Sequence, residues 1–81
     1  MTDNDVKQII LDVSGLGDPV DALDATASLS SLGFSDTMCS DLAEQLSTYI
    51  NGQKPGASVN NDDISSDLTV QQVIDLVKQK I

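Results

Sequence analysis

Apolar positions recur along the chain with helical spacing in three places. Val6, Ile9, Ile10 and Val13 fall at i, i+3, i+4 and i+7, which predicts a helix over residues 3–14 with one buried face. Thr2 or Asp3 can cap it, Asp3 and Asp5 suit the positive end of its dipole, and Gly15 and Gly17 stop it. Met38, Leu42, Leu46, Tyr49 and Ile50 form a second stripe over residues 36–51, with Cys39 at its edge. Ser35 is the natural N-cap there and Asp36 falls in the first turn; Gly52, Pro55 and Gly56 are read as its end. A third helix is predicted over residues 69–80, with Val70, Val73, Ile74, Val77 and Ile81 inward. Thr69 and Gln72 have the spacing of a capping box, and Lys78 and Lys80 suit the negative end of the helix.

Between these lie two less regular stretches. Residues 15–35 read as a long connection marked by Gly15, Gly17 and Asp18-Pro19. Val20, Leu23, Leu29, Leu32 and Phe34 are spaced too irregularly for one helix, so the connection is expected to pack its own apolar anchors. Residues 60–66 are expected to form a short helical turn, with Val59 and Ile64 inward. No useful β-alternation, internal repeat or low-complexity tract is present. Helices with single apolar stripes must pack together, so the pattern predicts an all-α fold: a small four-helix bundle with a long first loop and a short third helix. Its expected core is Leu29, Leu32, Met38, Leu42, Leu46, Ile64, Val70, Val73, Ile74 and Val77.

Size and charge narrow the function. The 81 residues make one domain, 1–81, and an area of about 4,600 Å² on the usual scaling leaves one small core and no large substrate cavity. Twelve Asp and Glu44 face four Lys, with no Arg or His, for a net charge of −9. Such a surface is a poor match for nucleic acid or anionic membrane and a good one for basic proteins. Without His there is no His-based triad and the commonest zinc ligand is missing. Cys39 stands alone, which leaves no internal disulfide. Tyr49 and Phe34 are too few for a base-stacking platform. Asp3-Asn4-Asp5 and Asn60-Asn61-Asp62-Asp63 lack the Gly and the distal Glu of a calcium loop, and helix-start acids account for both. Asp18, Asp21 and Asp24 read as turn residues or acidic surface. Residues 1–8 carry no targeting pattern and no run has the length of a membrane span, so a cytoplasmic, soluble monomer is expected. Met1 and the complete pattern lead us to expect a free-standing protein. No phosphate-binding glycine loop with Lys and no acid/base couple is present, so an independent enzyme is not expected.

The segment Leu32-Gly33-Phe34-Ser35-Asp36-Thr37, at the start of the second helix, resembles the acyl carrier protein family. That family, which includes peptidyl and aminoacyl carriers, has Leu-Gly-x-Asp-Ser-Leu there, and its Ser takes a 4'-phosphopantetheine arm. Counted from Asp36, Asp41, Leu42 and Leu46 meet the family's acidic and leucine spacings, and Leu68-Thr69-Val70 resembles the opening of its last helix. The resemblance spans nearly the whole chain, although the loop 51–58 is long for the family. It implies a carrier fold that presents a thioester-linked intermediate of fatty acid, polyketide or nonribosomal peptide biosynthesis. It also implies loading by a phosphopantetheinyl transferase and docking of basic enzyme surfaces on Asp36, Asp41 and Glu44.

The chain departs from the family at the attachment point. Ser35-Asp36 stands where the family has Asp-Ser, and Thr37 stands where it has Leu. The register of the helix puts Asp36 at the usual attachment position, and a carboxylate cannot supply the hydroxyl that a phosphodiester needs. Two readings follow. Ser35 carries the arm, its hydroxyl turned by up to about 100° from the family's direction. Alternatively Asp36 supplies the anionic group at the helix start, Ser35 is only a cap, and the module acts unmodified through protein contacts. Thr37 and Ser40 have hydroxyls in the wrong register. Cys39 reads as a small apolar residue rather than a reactive thiol, since Asp36 and Asp41 disfavour a thiolate. Asp36, Asp41 and Glu44 are either a docking surface or an ordinary solvated face. A third possibility is an unrelated acidic helical interaction domain. In the carrier reading an acyl chain would lodge partly in the core.

Overall fold

The computed structural model describes residues 2–15, 17 and 19–81, without the side chains of Thr2 and Asn61. The fold is all-α, with helices α1 (Thr2–Ser14), α2 (Asp36–Gln53) and α3 (Val70–Lys80). Single 3-10 turns occupy Val20–Ala22, Ser30–Leu32 and Asn61–Asp63. Asp18 and the Thr2 side chain, read above as turn and cap, lie outside the described residues. Asp3 lies inside the first turn of α1 rather than at its cap.

Two polar contacts give the direction of packing. Asp3 pairs with Lys78 at 2.7 Å, joining the first turn of α1 to the last turn of α3. The Tyr49 hydroxyl donates to Asp5 at 2.9 Å, joining the same turn of α1 to the far half of α2. Helix α1 therefore runs antiparallel to α2 and α3, which run alongside in one direction. All three bury a stripe in one core built on Val6, Ile10, Leu42, Leu46, Val73 and Ile74, each fully buried. A leucine or isoleucine so buried contributes about 1.5–3 kcal/mol. The accessible area, 4493 Å², lies close to the size expectation, so the core fills the interior of a chain this short.

The structure corrects several expectations. The short helical turn expected over 60–66, the third helix of the predicted bundle, is a single 3-10 turn at Asn61–Asp63. The chain there is held too closely on both sides to wind further. Ser47 Oγ donates to the Val59 carbonyl at 2.9 Å and receives the Val59 N–H at 3.1 Å. From Ser66, seven residues later, the backbone is already pairing with residues 29 and 30, through Ser30 N–H to Ser66 O and Leu29 N–H to Leu68 O. Helix α2 passes through Gly52 to Gln53, because the roughly 1 kcal/mol that glycine costs is outweighed by buried Ile50 and the stop falls to Pro55. Ile81 lies beyond the last turn of α3 and is 39% exposed, not inward. Leu32 and Met38 are half-buried rather than core, whereas Leu11 and Ala43, which the pattern did not single out, join it; Val59 and Ile64 are buried as expected.

The long connection does pack its own anchors. Leu23, Leu29 and Phe34 are buried, with Val20 and Leu32 packed against the core. It also closes the start of α3: Ser28 and Thr69 form an antiparallel bridge, Val70 N–H donates to Ala27 O and Gln71 N–H to Ala25 O, both at 2.9 Å. No helix among the described residues is long and apolar enough to cross a membrane.

Candidate functional site at the start of α2

The start of α2 is set by the three residues before it. Gly33 has φ +86°, a left-handed conformation that costs other L-residues about 1–2 kcal/mol, and it closes the Ser30–Leu32 turn with an N–H bond to Ser30 O at 3.1 Å. Phe34 then donates its N–H to Leu29 O at 3.0 Å and buries its ring. With that ring fixed inward, Ser35 emerges extended (φ −91°, ψ 174°) as the N-cap. Its Oγ accepts the Met38 N–H at 3.3 Å and its carbonyl accepts the Cys39 N–H at 2.9 Å.

Ser35, Asp36 and Thr37 are all exposed. The Asp36 and Thr37 N–H groups have no hydrogen-bond partner among the described residues. They are orphan donors of a helix start and face solvent with the positive end of the dipole. An anion seated there would meet free N–H groups, and the Ser35 hydroxyl keeps its own proton to give. Cys39 is buried one turn in, and burial first, then the nearby Asp36 charge, pushes its thiol pKa upward. It stays protonated and behaves as a small apolar residue.

The acidic positions divide. On an α-helix Asp41 and Glu44 stand about 60° apart, whereas Asp36 is turned about 140° from Asp41. The structure keeps Asp41 and Glu44 together in an open groove between α1 and α2, also lined by Asp12, Val13, Gln45 and Thr48. Asp36 stands apart at the helix start. Asp12 was not among the residues singled out from the sequence. Its place depends on the antiparallel pairing of α1 and α2, which no local spacing encodes. Asp3 and Asp5 lie in the first turn of α1, and the Asp63 carboxylate accepts the Asn60 N–H at 3.1 Å. Among the described residues no three His, Cys, Asp or Glu side chains converge as a metal site.

No family model, no curated protein and no solved structure matches this chain.

Proposed function

We propose that this chain is a carrier of the acyl carrier type that holds a biosynthetic intermediate as a thioester on 4'-phosphopantetheine attached to Ser35. In this reading the three helices and the turn at Asn61–Asp63 are a carrier bundle whose third helix is reduced to one turn. The open start of α2 carries the reading. An exposed Ser35 hydroxyl stands beside the unpaired N–H groups of Asp36 and Thr37, which suits a phosphodiester. The carrier does no chemistry of its own. It raises the local concentration of its cargo at each partner's site, in the manner of a tether. Partners are biosynthetic enzymes with basic surfaces, steered by Asp36, Asp41 and Glu44 in a salt-sensitive way, and the carrier works as a cytoplasmic monomer. A cargo chain that lodges in the core must part side chains such as Leu42 and Ile74, which are now fully buried.

The test is an intact mass after incubation with coenzyme A and a broad-specificity phosphopantetheinyl transferase. The expected result is a gain of one arm that disappears in Ser35→Ala. No gain with several transferases, or from the native host, sinks the attachment reading. One observation favours a second reading, an unmodified interaction module: the Asp36 carboxylate already stands in the first turn of α2, where it meets the dipole. If Asp36→Ser takes the arm where the parent chain does not, the module has a carrier's surface without its anchor.

A further inference from the structure

We propose that Asn51-Gly52, at the exposed end of α2, is a self-modification site: the chain converts Asn51 to aspartate and isoaspartate without an enzyme, at a pace set by α2. The site lies about 24 Å along α2 from Ser35, so it is independent of whether an arm is attached there.

Gly52 is the observation that leads there. It is the next-to-last residue of α2, where glycine weakens a helix relative to alanine. Nothing in the fold requires it. Its φ is not positive, and a Cβ built on it would meet nothing beyond the helix's own backbone within 4 Å. Gly52 does matter to the residue before it. Asn51-Gly52 is the one Asn-Gly pair in the chain; Asn4, Asn60 and Asn61 precede Asp5, Asn61 and Asp62, whose side chains crowd the following backbone nitrogen. Asn51 and Gly52 are both exposed, and no hydrogen bond holds the Asn51 amide among the described residues.

The chemistry needs only water. The Gly52 nitrogen attacks Asn51 Cγ, its proton passes to the departing side-chain nitrogen, and ammonia leaves as a five-membered succinimide closes. Water then opens the ring. Addition at Cγ gives aspartate; addition at the Asn51 backbone carbonyl gives isoaspartate, with the chain now running through the side chain. While the turn is wound, the Gly52 N–H points back towards the carbonyl of residue 48, and its nitrogen cannot swing onto Cγ. The reaction therefore runs from the unwound last turn. That turn is a weak one: Pro55 bars its extension, and Lys54 has already left helical geometry with φ −140° and ψ 96°. The product carboxylate adds one unit to the net charge of −9. It stands at the negative end of the helix dipole, beside a groove it shares with Glu44. Isoaspartate also lengthens the backbone, so the last turn cannot rewind. Conversion is one-way and shortens α2.

The test incubates the intact folded chain in mildly alkaline buffer. Isoaspartate is followed by peptide mapping and by methyl transfer from S-adenosylmethionine with an isoaspartyl methyltransferase. It is expected at Asn51 ahead of Asn4, Asn60 and Asn61. Gly52→Ala, which has room for its methyl, should slow the conversion about tenfold or more. In urea the parent chain should convert about tenfold or more faster, since every turn is then open. Hydrogen exchange of residues 50–53 should quicken in the converted chain. A Gly52→Ala chain that converts as fast as the parent overturns the proposal, as does a folded parent that leaves Asn51 intact while the unfolded chain converts. Equal rates with and without urea also overturn it, because α2 would then not set the pace.

Discussion

Helices α2 and α3 run in the same direction and both begin at a hydroxyl cap, yet their first turns are treated differently. At α3 the N–H groups of residues 69–73 are all used. Thr69 donates to Gln72 Oε1, Val70 and Gln71 to the long connection, Gln72 to Thr69 Oγ1 and Val73 to Thr69 O. At α2 the Ser35 hydroxyl takes one N–H, at 3.3 Å, and the next two donors, on Asp36 and Thr37, are left to solvent. A complete capping box with a backbone bridge fixes one start, and a single cap on a buried phenylalanine positions the other. The donors at α3 are met because the long connection pairs with them, whereas those at α2 face solvent, where water meets them. An open start on a rigid anchor is the arrangement that an incoming anion requires.

The comparison breaks most severely at the anchor. Phe34→Ala should cost about 3–5 kcal/mol, out of about 4–12 kcal/mol for a chain of this size, read from denaturant unfolding. A loss under about 1 kcal/mol would mean that Phe34 does not hold the start of α2. The caps come next. Thr69→Ala should cost about 1–2 kcal/mol, since it removes a half-buried cap and one side of the capping box. Ser35→Ala should cost about 0.5–1 kcal/mol, because its hydrogen bond is long and solvent-exposed. Hydrogen exchange should agree: the Val70 and Gln71 amides slow, the Asp36 and Thr37 amides close to the rate of an unfolded chain. Equal costs and equal exchange would erase the distinction between the two starts.

Both caps were readable from the chain because capping is a short-range signal: Ser35 before a helical stripe, and Thr69 three residues ahead of Gln72. The three apolar stripes were readable for the same reason. Ala25 and Ala27, which close α3 with their carbonyls, give no such signal, since backbone pairing across more than forty positions leaves no mark on residue type. The single turn at Asn61–Asp63 was overestimated because its length is set by the attachment of Val59 to Ser47 and the pairing of Ser66 with Ser30, both distant in sequence. Within the site, Ser35 and Asp36 were legible as a helix start and helix geometry alone turns Asp36 away from Asp41, whereas the meeting of Asp41 and Glu44 with Asp12 needed the packed helices. Gly52 misled because its local penalty is small beside the burial of Ile50 two residues earlier.

The smallest effect concerns how α3 is held at its two ends, and pH with salt can separate them. At the far end the Lys78 ammonium, through its hydrogen bond to Asp3, holds the Asp3 pKa below the ordinary carboxylate value, and Asp3 raises that of Lys78. A lowered carboxylate pKa contributes stability that is complete above about pH 4 and is lost as the pH falls through the lowered value. A raised lysine pKa contributes stability that is complete below about pH 10 and is lost as the pH rises through the raised value. The difference in Tm between the parent and Lys78→Gln should therefore be flat from about pH 5 to 9 and shrink outside that window. Near the start of α3, Asp24 is lowered instead by hydrogen bonds from the Thr26 N–H and hydroxyl, at 2.9 and 2.7 Å. It should add a second loss on the acid side only, one that survives in Lys78→Gln. Salt should weaken the exposed ion pair and leave the short-range bonds of Asp24 largely intact. An acid loss in Lys78→Gln as salt-sensitive as the parent's would show that general charge repulsion, not these two carboxylates, governs how α3 is held.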